Sequence, residues 1–89
     1  TRTRSSKPAR LSFREKTDLE TLPDSIAALS AEIAALEASI ADPGLFARGK
    51  TVFAAAVARL DAAKSQRDQA EEHWLEVEIK RESLAGANG

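Results

Sequence analysis

The stretch LETLPDSIAALSAEIAALEASI, residues 19–40, decides the fold of this chain. Its large apolar residues recur in alternating steps of three and four, at Leu19, Leu22, Ile26, Leu29, Ile33, Leu36 and Ile40. Consecutive heptads of this kind place one apolar stripe along one side of an α-helix and are typical of a coiled-coil seam. The stretch therefore predicts a long helix that packs against a second helix.

The residues just before this stretch carry a helix start signal. In LSFRE, residues 11–15, Ser12 can accept a hydrogen bond from the backbone N–H of Glu15, and the Glu15 carboxylate can reach back to the Ser12 N–H. This arrangement is a capping box. It predicts that regular structure begins at Ser12.

Pro23 interrupts the heptads. Because proline is tolerated in the first turn of a helix but disfavoured in its interior, TLPDS predicts a break or kink near Leu22 and a new helical start at Pro23. We expect a short N-terminal helix over residues 12–21, followed by a longer helix that ends near Ala41.

A connection and a second helix follow. Asp42-Pro43, Gly44 and Gly49 predict a turn over about 42–50, which Leu45 and Phe46 would cap. The period of 3.5 then returns, at Phe53, Ala56, Leu60, Ala63, Arg67, Ala70, Trp74, Val77, Arg81 and Leu84. At 1.5 Å per residue, residues 51–84 span roughly 50 Å, about as far as the first arm.

The predicted fold class is all-α. A short loop between two long amphipathic helices makes them antiparallel neighbours, so we predict a two-helix coiled-coil hairpin over 11–84. Aligning Ile40 with Phe53 sets Ile33 against Leu60 and Leu19 against Trp74 and would bury Leu36 and Val57 with the first pair. We expect a monomer; a dimer through the same heptads is the alternative. Residues 85–89 are expected to form a disordered tail.

Composition excludes several classes of protein. The chain has 89 residues and no cysteine, so disulfide frameworks and thiolate metal sites are impossible. No window resembles a membrane span or signal peptide, and we expect a soluble, cytoplasmic chain. It starts at Thr1 and contains no methionine, so we expect it to be a piece of a longer protein.

The segment GLFARGKT, residues 44–51, matches the phosphate-binding pattern G-x-x-x-x-G-K-[ST] of nucleotide-hydrolysing enzymes. That loop needs a buried strand before it, whereas Gly44 follows a helix at heptad spacing. A chain of this length also lacks room for the required sheet. The segment is better explained as the hairpin turn, and we expect no ATP or magnesium here.

Three other features of the sequence are possible sites. His73 has no second histidine or cysteine to complete a transition-metal set and is expected to be solvated. Trp74 could stack on a base, but its heptad position favours core packing. A carboxylate cluster could suggest acid–base chemistry, yet a narrow hairpin offers no closed pocket; it comprises Glu71, Glu72, Glu76, Glu78 and Glu82. We predict no catalytic residue, no metal site and no enzyme activity in this chain.

Charge is distributed unevenly. The first sixteen positions hold six of the thirteen basic residues, against one acid, Glu15; they are Arg2, Arg4, Lys7, Arg10, Arg14 and Lys16. Residues 1–10 have no apolar period and are expected to form a disordered basic arm. Arg48, Lys50 and Arg59 form a second basic group near the turn. All nine are candidate phosphate contacts.

Residues 11–82 resemble the C-terminal domain of the Uup branch of ABC-F ATPases. The resemblance rests on four landmarks in order: Leu11-Ser12-Phe13, Leu22-Pro23, Asp42-Pro43 with Phe46, and Trp74-Leu75-Glu76. One departure is Gly49-Lys50, where the family often has Asp-Pro, which weakens a helix cap without altering the fold.

The resemblance implies an α-helical hairpin that follows two ATPase cassettes and binds DNA. ATP and magnesium would belong to those cassettes. Two functions remain open. One is a sequence-independent DNA- or RNA-binding appendage that acts through phosphate contacts. The other is a coiled-coil spacer that docks on a protein or ribosomal partner.

Overall fold

The computed structural model describes the backbone of residues 10–88 and the side chains of residues 10–85. Three helices follow one another: α1 (Phe13–Ala41), α2 (Pro43–Ala47) and α3 (Lys50–Asn88). No strand occurs within residues 10–88, so the predicted all-α class is confirmed. The expected disordered arm lies outside the described residues except for Arg10.

The start of α1 is the predicted capping box. The Ser12 hydroxyl accepts the Glu15 N–H at 3.1 Å, and the Ser12 N–H donates to Glu15 Oε1 at 2.8 Å. These two bonds satisfy backbone groups that the first turn of a helix leaves without intrahelical partners. The prediction from LSFRE is confirmed.

The predicted break at Pro23 is wrong, because α1 continues through it. A proline inside a helix removes one hydrogen bond and costs about 3 kcal/mol. The apolar stripe, however, continues on both sides of Pro23 and packs along α3, with Leu22 and Ile26 half-buried. Packing of this stripe outweighs the local cost, and no separate helix over 12–21 exists.

The turn is built around Asp42. Its backbone N–H donates to the Ser39 carbonyl at 3.2 Å as α1 ends, and its carboxylate accepts the Gly44 N–H at 2.9 Å as α2 begins. Gly49 has φ 134°, in the left-handed region where glycine avoids a steric penalty. Gly44 was also expected to turn the chain, but it lies inside α2.

Helices α1 and α3 lie side by side and run in opposite directions. Glu15, early in α1, contacts Lys80, late in α3, while Glu32 contacts Arg59 nearer the turn. Ile33, Ala63 and Val77 are the buried apolar residues within residues 10–85. Leu36, Val57 and Leu60, expected to be buried with Ile33, are half-buried because two helices alone leave the sides of the seam open to solvent.

Two details of α3 differ from the sequence prediction. The helix continues to Asn88, so residues 85–88, expected in a disordered tail, are helical. Ala85 and Ala87 favour this continuation, and a single glycine inside a helix costs only about 1 kcal/mol. Arg81, assigned to the seam, is exposed, whereas the neighbouring Lys80 is half-buried.

Candidate nucleic-acid interface

The structure separates the predicted basic residues into two end groups. Arg10, Arg14 and Lys16 are exposed at the start of α1. Arg48 is exposed just after α2, and Lys50 is exposed at the start of α3. Residues 14 and 41 are separated by about 40 Å at 1.5 Å per helical residue, so the groups lie at opposite ends of the molecule. Arg2, Arg4 and Lys7 lie outside the described residues.

At the start of α1, the single acid is already engaged. Both carboxylate oxygens of Glu15 accept hydrogen bonds from Lys80, at 2.9 and 3.0 Å. The bond from the Ser12 backbone N–H, and next the bond from Lys80, lower the pKa of Glu15 below its ordinary value. Within residues 10–85, Arg14 and Lys16 form no ion pair with a carboxylate. Their charges are therefore available to phosphate groups.

Arg59 does not belong to the turn group. Its Nε lies 2.5 Å from Glu32 Oε2 and its Nη2 lies 2.6 Å from Glu32 Oε1, a two-bond contact between α1 and α3. This contact raises the pKa of Arg59 and lowers that of Glu32. Arg59 is nine residues, about 13 Å, along α3 from Lys50. The sequence grouped Arg59 with Arg48 and Lys50, and the structure separates it from them.

The middle of the molecule offers few free cations. Lys64 Nζ lies 3.5 Å from Glu37 Oε2, and Arg67 Nη2 lies 3.1 Å from Asp68 Oδ1. Nearer the start of α1, Arg81 pairs with Glu78. Glu71, Glu72 and Glu76 are exposed carboxylates on α3, and Glu82 is exposed two residues beyond Lys80, toward the start of α1. The body would repel a polyanion, so the two ends are the candidate contact regions.

His73 has a partner that sequence reasoning missed. Its Nε2 lies 2.8 Å from Asp18 Oδ2 on the other long helix, and its Nδ1 lies 3.9 Å from Glu76. The alignment of Leu19 with Trp74 already placed these neighbours side by side and could have revealed the contact. Within the described residues, no group of three or more histidine, cysteine or acidic side chains could hold a metal ion.

Trp74 borders an open apolar groove. The groove has a volume of about 530 Å³ and is lined by Pro23, Ile26, Ala27, Glu71, Trp74 and Leu75. Trp74 is half-buried beside Pro23 and Ile26, as expected for a heptad position. Glu71 is its single lining carboxylate, so the groove does not hold a pair of acids.

The segment GLFARGKT forms most of α2, the Gly49 turn and the first residues of α3. A helix, not a strand, precedes it. Lys50 is exposed at the start of α3. None of the helices within the described residues is long and apolar enough to span a membrane.

The capped start, the Asp42 turn and most of the two paired helices fall within one family match. Residues 10–78 match the profile of the ABC transporter C-terminal domain, and the chain belongs to this family. It is similar to the ATP-binding protein Uup of Caulobacter vibrioides, with 42% identity over 80 residues, 90% of this chain and 13% of that protein.

Two proteins of Haemophilus influenzae are also similar. The ATP-binding protein Uup is 32% identical over 96% of this chain and 13% of its own length. The ATP-binding protein Uup-like is 32% identical over 96% of this chain and 18% of its own length. This chain thus spans less than a fifth of these relatives. No solved structure gives a significant match.

Proposed function

We propose that this chain is a nucleic-acid-binding C-terminal domain of an ABC-F type ATPase, and that it binds DNA through phosphate contacts without reading sequence. The observation that supports this most directly is the exposed pair Arg14 and Lys16, whose intervening acid Glu15 is held by Lys80. The pair extends the run of cations at Arg2, Arg4, Lys7 and Arg10. Such contacts hold a protein on a duplex but do not distinguish bases.

The rest of the molecule serves as a rigid support in this proposal. The two long helices form a coiled-coil hairpin and act as a monomer in the cytoplasm. ATP and magnesium are bound by cassettes elsewhere in the longer protein, as the relatives' description as ATP-binding proteins suggests. Those cassettes are the domain's partners within the same chain.

The proposal is tested by titrating the 89-residue chain with a duplex of random sequence. We expect a Kd of about 10 to 100 μM near physiological salt, the range of non-specific DNA binding. Arg14→Gln combined with Lys16→Gln should weaken binding severalfold. Arg59→Gln is the matched control, because that cation is engaged by Glu32. Equal loss in both variants would argue against a site at the start of α1.

A second candidate function is a spacer that docks on a protein or ribosomal partner. It is favoured by the open groove at Trp74 and by the exposure of Leu75 and Ile79, at 51% and 56%. Substituting Leu75 and Ile79 with Ser should abolish association with such a partner while leaving DNA affinity unchanged. Loss of DNA affinity in this variant would contradict the separation of the two surfaces.

A further inference from the structure

The turn between the long helices carries an aromatic pair. The rings of Phe46 and Phe53 stack with their centroids 5.3 Å apart and an interplanar angle of 28°. Phe53 covers one side of Phe46, yet the Phe46 side chain is still 50% exposed. A stacked ring with this exposure has apolar surface available to a second planar group.

Backbone hydrogen bonds hold the segment that carries Phe46. The Gly49 N–H donates to the Phe46 carbonyl at 3.0 Å, and the Arg48 N–H donates to the Leu45 carbonyl at 3.1 Å. Gly49 reverses the chain with a positive φ, which brings Phe53 against Phe46. An aromatic surface fixed in this way loses little conformational entropy when a ligand stacks on it.

Two exposed cations lie close to Phe46 in the chain. Arg48 and Lys50 follow Phe46 closely in the chain, are exposed, and form no ion pair within residues 10–85. The neighbouring acid, Asp42, is engaged by the Gly44 N–H. Arg48 also lines an open cavity of about 300 Å³ together with Ser39, Asp42, Gly44 and Leu45.

From these observations we propose that the turn binds single-stranded nucleic acid, with an unpaired base stacked on Phe46 and the adjoining phosphates on Arg48 and Lys50. This inference rests on the proposed function and adds a second contact region with a different preference. Aromatic side chains beside cations are the usual elements of single-strand recognition, because every base offers a π-face and every nucleotide a phosphate. A duplex hides its base faces, so the turn discriminates between the two forms whereas the start of α1 does not.

The test uses the 89-residue chain, a twelve-nucleotide strand carrying one 2-aminopurine, and a duplex of the same sequence. Phe46→Leu keeps an apolar side chain against Phe53 but removes the aromatic surface. We expect about tenfold weaker binding of the strand and loss of the 2-aminopurine quenching, with duplex affinity unchanged. Leu75→Ser is the control, because Leu75 is 51% exposed on α3, away from the turn and from the basic residues at the start of α1, and its replacement is expected to leave strand affinity, quenching and duplex affinity unchanged.

A second variant does not depend on the aromatic packing. Arg48→Gln with Lys50→Gln should reduce the salt slope of single-strand binding by about 1.4, the release expected from two phosphate contacts. Equal affinity of wild type and Phe46→Leu for the single strand would overturn the inference and favour a protein contact at the turn. Duplex binding without any aromatic effect on the strand would overturn it while the proposed function stands. Binding to neither ligand at low salt would reject both.

Discussion

Arg59 and Glu32 are joined across the two long helices by two hydrogen bonds, of 2.5 and 2.6 Å. From this contact we infer that Arg59 stabilises the pairing of the two helices and does not contact phosphate, although its charge and sequence position predict a phosphate contact. We predict that Arg59→Gln lowers the thermal midpoint of unfolding but leaves DNA affinity within twofold of wild type. Lys50→Gln should leave the thermal midpoint unchanged, because Lys50 is exposed. Thermal melting and DNA titration of both variants check this prediction. A strong loss of DNA binding in Arg59→Gln would indicate that Arg59 contacts DNA.

Acid should weaken the contact between Glu32 and Arg59 and also the contact between Glu15 and Lys80. Hydrogen bonds lower the pKa of Glu32 and of Glu15 below the ordinary 4.5 in the folded protein. A carboxylate with a lowered folded-state pKa stabilises the fold above its unfolded-state value and loses that contribution as pH falls through the folded-state pKa. The thermal midpoint should therefore decrease as the pH is lowered below about 4.5, and this decrease should be smaller in the double variant Glu15→Gln/Glu32→Gln. An identical dependence of the thermal midpoint on pH in wild type and the double variant would contradict a stabilising role for these two carboxylates.

The local signals in the sequence were sufficient where a few neighbouring residues decide the structure. Ser12 with Glu15 set the helix start, and Gly49 provides the left-handed residue of the turn. The predicted helix break at Pro23 was wrong, because the sequence shows the local cost of a proline but not the packing of α1 on α3 that outweighs this cost. Balances between local strain and tertiary contact depend on the assembled structure.

The cross-helix contacts required the register as well as the heptads. Aligning Ile40 with Phe53 brings Asp18 near His73 and Glu32 near Arg59, each within two residues of the observed partner. Diagonal contacts of this kind follow from side-chain direction on a helix, which a residue spacing alone does not give. The sequence therefore located the basic residues but could not tell which of them are already paired.

Core packing predicts a difference between two isoleucines. Ile33 is 5% exposed in the seam, and Ile79 is 56% exposed on the outside of α3. Ile33→Ala should cost about 2 to 3 kcal/mol, near the low end for buried isoleucine because a two-helix core can partly collapse around the gap. Ile79→Ala should change stability by less than about 0.5 kcal/mol. Urea unfolding of both variants measures the contrast, and equal losses would contradict the observed burial.

Nucleotide should have no effect on this chain. GLFARGKT is divided between α2, the turn and α3, without the strand that delivers a phosphate-binding loop. We expect millimolar ATP with magnesium to leave the thermal midpoint unchanged, and Lys50→Ala to be nearly silent for stability. A polyphosphate of similar charge is the control. Stabilisation by ATP that polyphosphate does not reproduce would identify a nucleotide site.

The salt dependence of duplex binding tests the central proposal most directly, through a comparison of the whole chain with a fragment of residues 11–89. If about four of the cations among residues 2–16 contact phosphates, log K should fall against log salt with a slope of roughly −3.6, or about two decades between 50 and 200 mM. The fragment keeps Arg14 and Lys16 and should show a slope of about −1.8 with unchanged helicity. Equal affinity and equal salt slope in both proteins would show that residues 1–10 make no phosphate contacts and act only as a linker. Absence of binding by either protein at 50 mM salt would contradict the proposal and favour the spacer.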